Sequence, residues 1–378
     1  MRIQDAAELA ARRSEKWAQY PPDVLPVWVA EMDVPVAPAI TAALRAAIDR
    51  DDLGYTPSSY PALRHAFAGF AGRRLGWPVD PDAVTLLPDV MTGVCELLRL
   101  LVPPGSDVVV NPPVYPPFFS RVTEAGCRVA EVPLAPGGGL DLDGIGRAFA
   151  AGAGAIVLCN PHNPGGRVPD TAELTALAEL AADHGAWVLS DEIHAPLVLP
   201  GAAHVPFLTV SPAAAEHGIA LTSASKGFNL AGLKAAVAVT ASDRAAAVVA
   251  RLPEDLYDRA GLLGLLGSEA AFTDADDWLD EVLALLDGNR DLLAGLLAER
   301  LPGVVLTRPQ ASYLAWLDCR ALGLGDDPAA VFLERGRVAL SRGPDYGTQG
   351  AGFARLNIGT SPAIVTEAVD RMAAALGR

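Results

Sequence analysis

The stretch "GAIVLCNPHNPGGRVPDTAELTALAELAADHGAWVLSDE", residues 154–192, reads as strand, turn, helix and strand. "GAIVLCN" (154–160) is a short apolar run without strict alternation, as expected of a strand buried on both faces. "NPHNPGG" has the composition of a tight turn. "TAELTALAELAADHG" (171–185) carries apolar residues at helical spacing and ends on glycine. "AWVLSDE" (186–192) repeats the first run. Two buried strands joined by a helix predict a parallel sheet covered by helices.

The pattern extends outward. "AVTLLPD" (83–89) and "DVVVN" (107–111) are strand candidates on one side, with a helix over "TGVCELLRLLV" (92–102). "IALTSAS" (219–225) and "AAVAVTA" (235–241) are strand candidates on the other. The last hundred residues differ. A long helix is predicted over 275–300, and "SYLAWLDC" (312–319) and "FARLNIG" (353–359) read as strands of another unit. The proline-rich "YPPDVLPVWVAEMDVPVAP" (20–38) cannot be helical and is expected to cross between domains. The expected division is a large domain over 46–275 and a small one from both chain ends, 1–45 and 276–378.

Composition excludes several function classes. The 378 residues carry a formal net charge of −16, with no basic stripe for nucleic acid. No run is long and apolar enough to span a membrane, and the charged N-terminus lacks a signal-peptide core. Cys95, Cys127, Cys159 and Cys319 are scattered and show no metal or redox spacing. They read as reduced, buried thiols of a cytoplasmic protein.

Lysine usage is the sharper signal. There are three lysines against 26 arginines. Two of them, Lys226 and Lys234, lie eight residues apart in "SASKGFNLAGLK" (223–234). Arginine keeps its proton and cannot form an imine, whereas lysine can lose its proton and do so. Ligands of doubly wound folds sit beyond the carboxyl ends of the strands. Asp191, the group Asn160, His162 and Asn163, the helix start at Thr92 and Gly93, and Lys226 all fall there. Singly, each is weak: an acid after a strand is more often a helix cap. Together they match what pyridoxal 5'-phosphate needs, namely an imine-forming lysine, a carboxylate for the pyridine nitrogen, a donor to the ring phenolate, and a helix N-terminus with hydroxyls and a cation for phosphate.

These residues lie in longer motifs: "KWAQYPPDVLPVWVAEMDV", "GYTPSSYPALRHAF" (54–67), "NPPVYPPF" (111–118), "CNPHNPGGRV" (159–168), "LSDEIHAPLVLPG" (189–201) and "GFARLNIGTSP" (352–362). In order and spacing the chain resembles fold-type I pyridoxal-phosphate enzymes of aminotransferase class I/II. Within that class it is most similar to the cystathionine β-lyase-like C–S lyases of the MalY/PatB type. The resemblance implies an α/β, aspartate-aminotransferase-like fold. A mainly parallel seven-stranded sheet would form the large domain, and a smaller α+β domain would accompany it.

The resemblance also implies roles. Lys226 would bind the cofactor as an imine, and Asp191 would pair with the pyridinium. Asn163 would donate to the phenolate, with His194 beside it, and Tyr115 would stack on the ring. Met91, Thr92, Ser223, Ser225 and Lys234 would hold the phosphate. Arg355 would clamp the α-carboxylate of a small amino-acid substrate, with the backbone near Ala30 close to it. Tyr55 would reach the partner's cofactor phosphate in a homodimer with shared sites. The activities implied are β-elimination from a cysteine thioether or, with the same residues, amino transfer; a regulatory role through a docked partner is a third possibility.

Three departures from the family pattern bear on the substrate. Val34 stands where relatives often carry phenylalanine, Pro196 where many carry an acid, and Gly227 where threonine is frequent. The expectation is a wider entrance near Val34 and Pro196, accepting bulkier thioethers.

Overall fold

The structure is a computed structural model describing residues 3–57 and 59–377. Its centre is a seven-stranded sheet. The strand order is Val84–Leu87, Ala236–Val239, Gly218–Thr222, Trp187–Asp191, Ala155–Cys159, Asp107–Val110 and Arg128–Glu131. Only Ala236–Val239 runs antiparallel to its neighbours. Strand candidates at 83–89, 107–111, 154–160, 186–192, 219–225 and 235–241 all form strands; four are trimmed at both ends, one keeps its start at Asp107, and one begins a residue early at Gly218. Arg128–Glu131 was not anticipated. It is an edge strand, exposed at both of its ends, and "RVAE" has no apolar run to announce it.

Why the central strands lack alternation is visible in the packing. Ile156, Leu158 and Val188 belong to one apolar core, while Val157, Cys159 and Leu189 belong to the core on the opposite face. Both faces are covered, so every position along Ala155–Cys159 and Trp187–Asp191 is buried. Burying one valine, leucine or isoleucine among them contributes about 1.5–3 kcal/mol. The helix Thr171–His184 that joins these strands is capped by Asp170, whose carboxylate accepts the Glu173 N–H. It ends at Gly185 with φ 66°, a left-handed conformation that glycine adopts without strain.

The C-terminal portion forms a four-stranded antiparallel sheet, in the order Ser341–Arg342, Phe353–Asn357, Leu314–Asp318 and Val305–Thr307. The predicted long helix is Asp276–Arg300. Between 20 and 37 the chain is non-helical as predicted, with one two-residue strand, Leu25–Pro26, paired to Val338–Ala339. The next helix is Pro38–Asp49, so residue 46 lies inside a continuous helix.

The structure corrects the expectation about the entrance. Val34 is only 1% exposed, within the larger apolar core. Pro196 is buried too and packs on Gly227: a Cβ added at Gly227 would lie 2.9 Å from the Pro196 Cβ. Two of the departures are therefore one contact, in which a proline ring fills the space a β-branched residue would need. Gly227→Thr is expected to cost about 1–3 kcal/mol, as overpacking does. Adding Pro196→Gly, which removes that Cβ, should recover part of that loss in thermal unfolding. Additive losses in the double variant would show that the two positions are not coupled.

Candidate active site

A cavity of about 250 Å³ opens at the carboxyl ends of the parallel strands. Asp191 and Cys159 reach it as the last residues of their strands, and Ser223 follows directly after the strand Gly218–Thr222. Of the residues expected from sequence, Ala30, Met91, Tyr115, Asn163, Asp191, His194, Ser223, Ser225, Lys226 and Lys234 line it.

The short helix Ala224–Gly227 presents Lys226. Its Nζ donates to the Ala30 carbonyl at 2.9 Å. Loss of hydration, with the Arg355 guanidinium adding to it, lowers the amine to about 8; Glu31, Asp191 and Glu15 oppose the shift. Asp191 is 4% exposed. Among the described residues the one hydrogen bond to its carboxylate comes from the Ile193 N–H, at 3.1 Å. Burial therefore raises it to about 7, against the Ile193 N–H and the Lys226 charge. A carboxylate so placed gains from a cation or an N–H donor in the cavity.

Asn163 is held from behind. Arg355 Nη1 donates to its Oδ1 at 3.0 Å, which leaves the amide nitrogen as donor. Arg355 is itself buried, and its Nη2 donates to the Trp28 carbonyl and to Ser341 Oγ, each at 3.0 Å. The guanidinium lies 5.2 Å from the centre of the Tyr346 ring. Arg355 does not itself line the cavity; it stands one contact behind Asn163. His194 is buried, with Nδ1 lacking a partner among the described residues. Burial first, then the Lys226 and Arg355 charges, lowers it to about 3, so the ring is neutral. Tyr115 lies 5.9 Å from Phe118, edge to face. Burial and then Asp191 push its hydroxyl up to about 12, so it keeps its proton.

The far end is more committed than the sequence suggested. Asp89 caps the helix Val90–Leu101 by accepting the Thr92 N–H at 2.7 Å, and its other oxygen faces Lys234 Nζ at 3.4 Å. Thr92 is not among the lining residues, and its N–H is already taken. Ser223 Oγ donates to the Ala235 carbonyl at 2.6 Å and accepts the Ser225 N–H at 3.0 Å. Gly93 serves packing: a Cβ there would come within 2.5 Å of Leu87 Cδ1 and 2.7 Å of Leu221 Cδ2. Asn160 and His162 lie outside the lining. The Asn160 amide donates to the Val205 carbonyl, while burial lowers His162 to about 4 and leaves it neutral. Tyr55 is 96% exposed and lies outside this cavity.

Sequence reasoning missed several contributors. Asp89, Arg121, Cys159 and Ile193 line the cavity, and Tyr313 donates to the Ala30 carbonyl at 2.9 Å. Asp89 carries an ordinary N-cap signal, an aspartate before a helical pattern. Tyr313 carried no local signal, because the chain separates it from Ala30 by 283 positions.

The Asp191 carboxylate, the unpartnered His194 nitrogen, the free Asn163 amide and the lysine amine form a donor and acceptor set that fits pyridoxal phosphate. Comparison with known proteins agrees. The model of the aminotransferase class I and II family matches residues 25–372. The chain is 36% identical to the cystathionine β-lyase of Corynebacterium glutamicum, covering all of both chains. It is 37% identical to the cystathionine β-lyase PatB of Bacillus subtilis, over 94% of this chain and 93% of that one. A solved Corynebacterium diphtheriae structure, described as a candidate PLP-dependent β-cystathionase, superposes with a TM-score of 0.96 at 37% identity, covering 100% and 99% of the two chains. The arrangement of the strand ends and the likeness along the chain lead to one conclusion: the protein belongs to the aminotransferase class I and II family.

Proposed function

We propose that this chain is a pyridoxal 5'-phosphate-dependent carbon–sulfur β-lyase, which cleaves cysteine thioethers such as cystathionine to a thiol, pyruvate and ammonia. The observation that carries the reading is the presence, in one cavity, of a lysine amine lowered to about 8 and a buried carboxylate that, among the described residues, makes no ion pair. Relatives named cystathionine β-lyase along the full chain support the leaving group.

The cofactor, when bound, withdraws electrons from the substrate Cα and so makes its proton removable. Lys226 is the residue placed to hold the cofactor aldehyde and then, once displaced by substrate, to take that proton. Its lowered pKa supplies neutral amine near neutrality. Asp191 would keep a pyridine nitrogen protonated, and the bond would hold the carboxylate ionised. Asn163 would donate its amide to the ring phenolate, with His194 beside it. Tyr115 would cover the ring face.

Met91, Ser225 and Lys234 would hold the phosphate, Lys234 by turning from Asp89. Thr92 and Ser223 can join only by exchanging the hydrogen bonds they now make. Arg355, steadied by Trp28 and Ser341, would take the substrate α-carboxylate near Ala30 by giving up its bond to Asn163. As the α-proton passes to Lys226, the Cβ–S bond breaks and its electron pair leaves on sulfur. The three-carbon fragment departs as an enamine, which water converts to pyruvate and ammonia.

Three broader features belong to the same reading. Ile48 and Leu53 are 54% and 60% exposed near Tyr55, which supports this edge as a twofold contact through which Tyr55 reaches the partner's phosphate site. The large sheet is drawn from 84–239 and the small one from 305–357, which supports two domains. Continuity of the helix Pro38–Asp49 favours moving the first boundary back from 46 to Pro38. All four cysteines are free and buried, which supports a reducing, cytoplasmic location. Among the described residues no helix is long and apolar enough to cross a membrane.

The test is incubation of the cofactor-loaded enzyme with a size series of cysteine thioethers, following thiol and pyruvate without any keto acid. Stoichiometric thiol and pyruvate are expected. Failure with every thioether, together with rapid turnover of amino acids lacking a leaving group when a keto acid is added, would make the enzyme an aminotransferase.

A further inference from the structure

Lys16 is the one lysine without a task in this reaction. It lies in the short helix Glu15–Ala18. Its ammonium is 2.6 Å from Asp33 Oδ2, and both side chains are 0% exposed. Trp17 Nε1 donates to the other Asp33 oxygen at 2.7 Å, and Lys16 Nζ also reaches the Glu31 carbonyl at 3.3 Å. A buried ion pair gives little net stability over an apolar pair of the same volume. Stability alone is a weak reason for this one.

What the pair holds is more informative. Asp33 ends a strap, residues 28–33, that is bonded on its other side by groups of the cavity and its surround. The Trp28 carbonyl accepts from Arg355, and the Ala30 carbonyl accepts from both Lys226 and Tyr313. The strap is pinned mostly by side chains. Asn229 takes both the N–H and the carbonyl of Met32, at 2.9 Å each, and the Asp33 N–H donates to the Gly359 carbonyl at 2.7 Å. A backbone segment held this way keeps its register only while its anchors hold.

We infer that the buried Lys16–Asp33 pair is a positioning device for the reaction site. It fixes the register of the strap and thereby the two carbonyls that orient Lys226 and Arg355. A lysine suits the position because a single compact charge meets one carboxylate oxygen and one carbonyl, where a guanidinium would bring a fork with unmatched donors. The inference rests on the reading of the cavity as the reaction site.

The test compares Lys16→Met with the double variant Lys16→Met/Asp33→Asn. The single variant leaves a buried carboxylate without its cation and should lower the melting temperature. The double variant carries no buried charge at these two positions, and its new side-chain amide oxygen can still accept from Trp17, so most of that loss should return. Positioning should not return. In the cofactor-free double variant, the backbone amides at positions 32 and 33 should exchange roughly tenfold faster, with those of Trp187–Asp191 unchanged. In the loaded enzyme KM should rise by about tenfold, more than kcat falls, because Arg355 has lost its register; misplacement by 1 Å can cost about 10²-fold. If the double variant matches the wild type in amide exchange and in KM, the pair is only structural and the inference is overturned. Faster exchange in an enzyme that releases no pyruvate even as wild type would keep the positioning role and refute the lyase reading. Should the Lys16→Met chains fail to fold, Trp17→Phe, which removes only the indole bond to Asp33, is read by the same exchange measurement.

Discussion

Replacing Lys226 with alanine is expected to abolish turnover while the chain keeps its fold. No other lysine can substitute. Lys234 sits at the rim, 59% exposed and paired with Asp89, and Lys16 is locked to Asp33. The methyl group can neither hold an aldehyde nor accept a proton. The loss should reach at least the 10²–10⁴-fold that a positioned acid–base group contributes, with the loss of covalent cofactor attachment in addition. Borohydride treatment of the loaded wild type should fix the cofactor to the peptide containing Lys226, and the variant should give no such adduct by mass spectrometry.

Reactivity in the cofactor-free wild type offers a second check. The amine is lowered to about 8, first by burial and then by Arg355, with Glu31, Asp191 and Glu15 pulling the other way. Modification of Lys226 by an amine reagent should therefore rise through pH 8, well below the ordinary lysine range. Wild-type turnover in purified Lys226→Ala would remove this residue from the mechanism.

Much of this site was legible because its residues stand at strand ends, and the strands announce themselves. Ala155–Cys159 is apolar throughout and residues 187–189 likewise because cores cover both faces, so composition alone marks them. Arg128–Glu131 escaped for the opposite reason: an edge strand with exposed ends needs no apolar run. Geometry that depends on distant pairs was not legible. Nothing local to Val34 told that it would be buried in the core rather than stand at an entrance, and nothing local to Pro196 told that Gly227 would be its neighbour. The hydrogen bonds already made at the Asp89 end of the cavity also waited for the structure. Thr92 opens a helix, as the sequence suggested, yet its N–H belongs to a cap that the same sequence also supplies. The strap at 28–33 is the extreme case, since its partners come from residues 16, 229, 313, 355 and 357.

Asp191→Asn separates the electrostatic role of this carboxylate from its shape. The amide keeps the volume and can still accept the Ile193 N–H, so the cavity should survive. It cannot hold a positive charge on the cofactor ring. Turnover should fall by about 10²–10³-fold, the scale of losing one preorganised electrostatic partner in a dry site, while cofactor is still bound. The cofactor-free protein provides a test that does not depend on turnover. Burial raises Asp191 from 3.8 to about 7, against the Ile193 N–H and Lys226, with Glu192 adding to the rise. Between those values the native state holds a proton that the unfolded chain has released. Stability contributed by this group is therefore full below about pH 4 and is lost as pH climbs toward 7. Asparagine carries no such proton, so the variant should lack that decline and should melt higher than the wild type above about pH 7. Thermal unfolding of both cofactor-free proteins from about pH 4 to about pH 8 reads the difference directly. Parallel curves would mean that Asp191 is ionised throughout this range, and the cavity would then have to hold its charge by a group other than the cofactor ring.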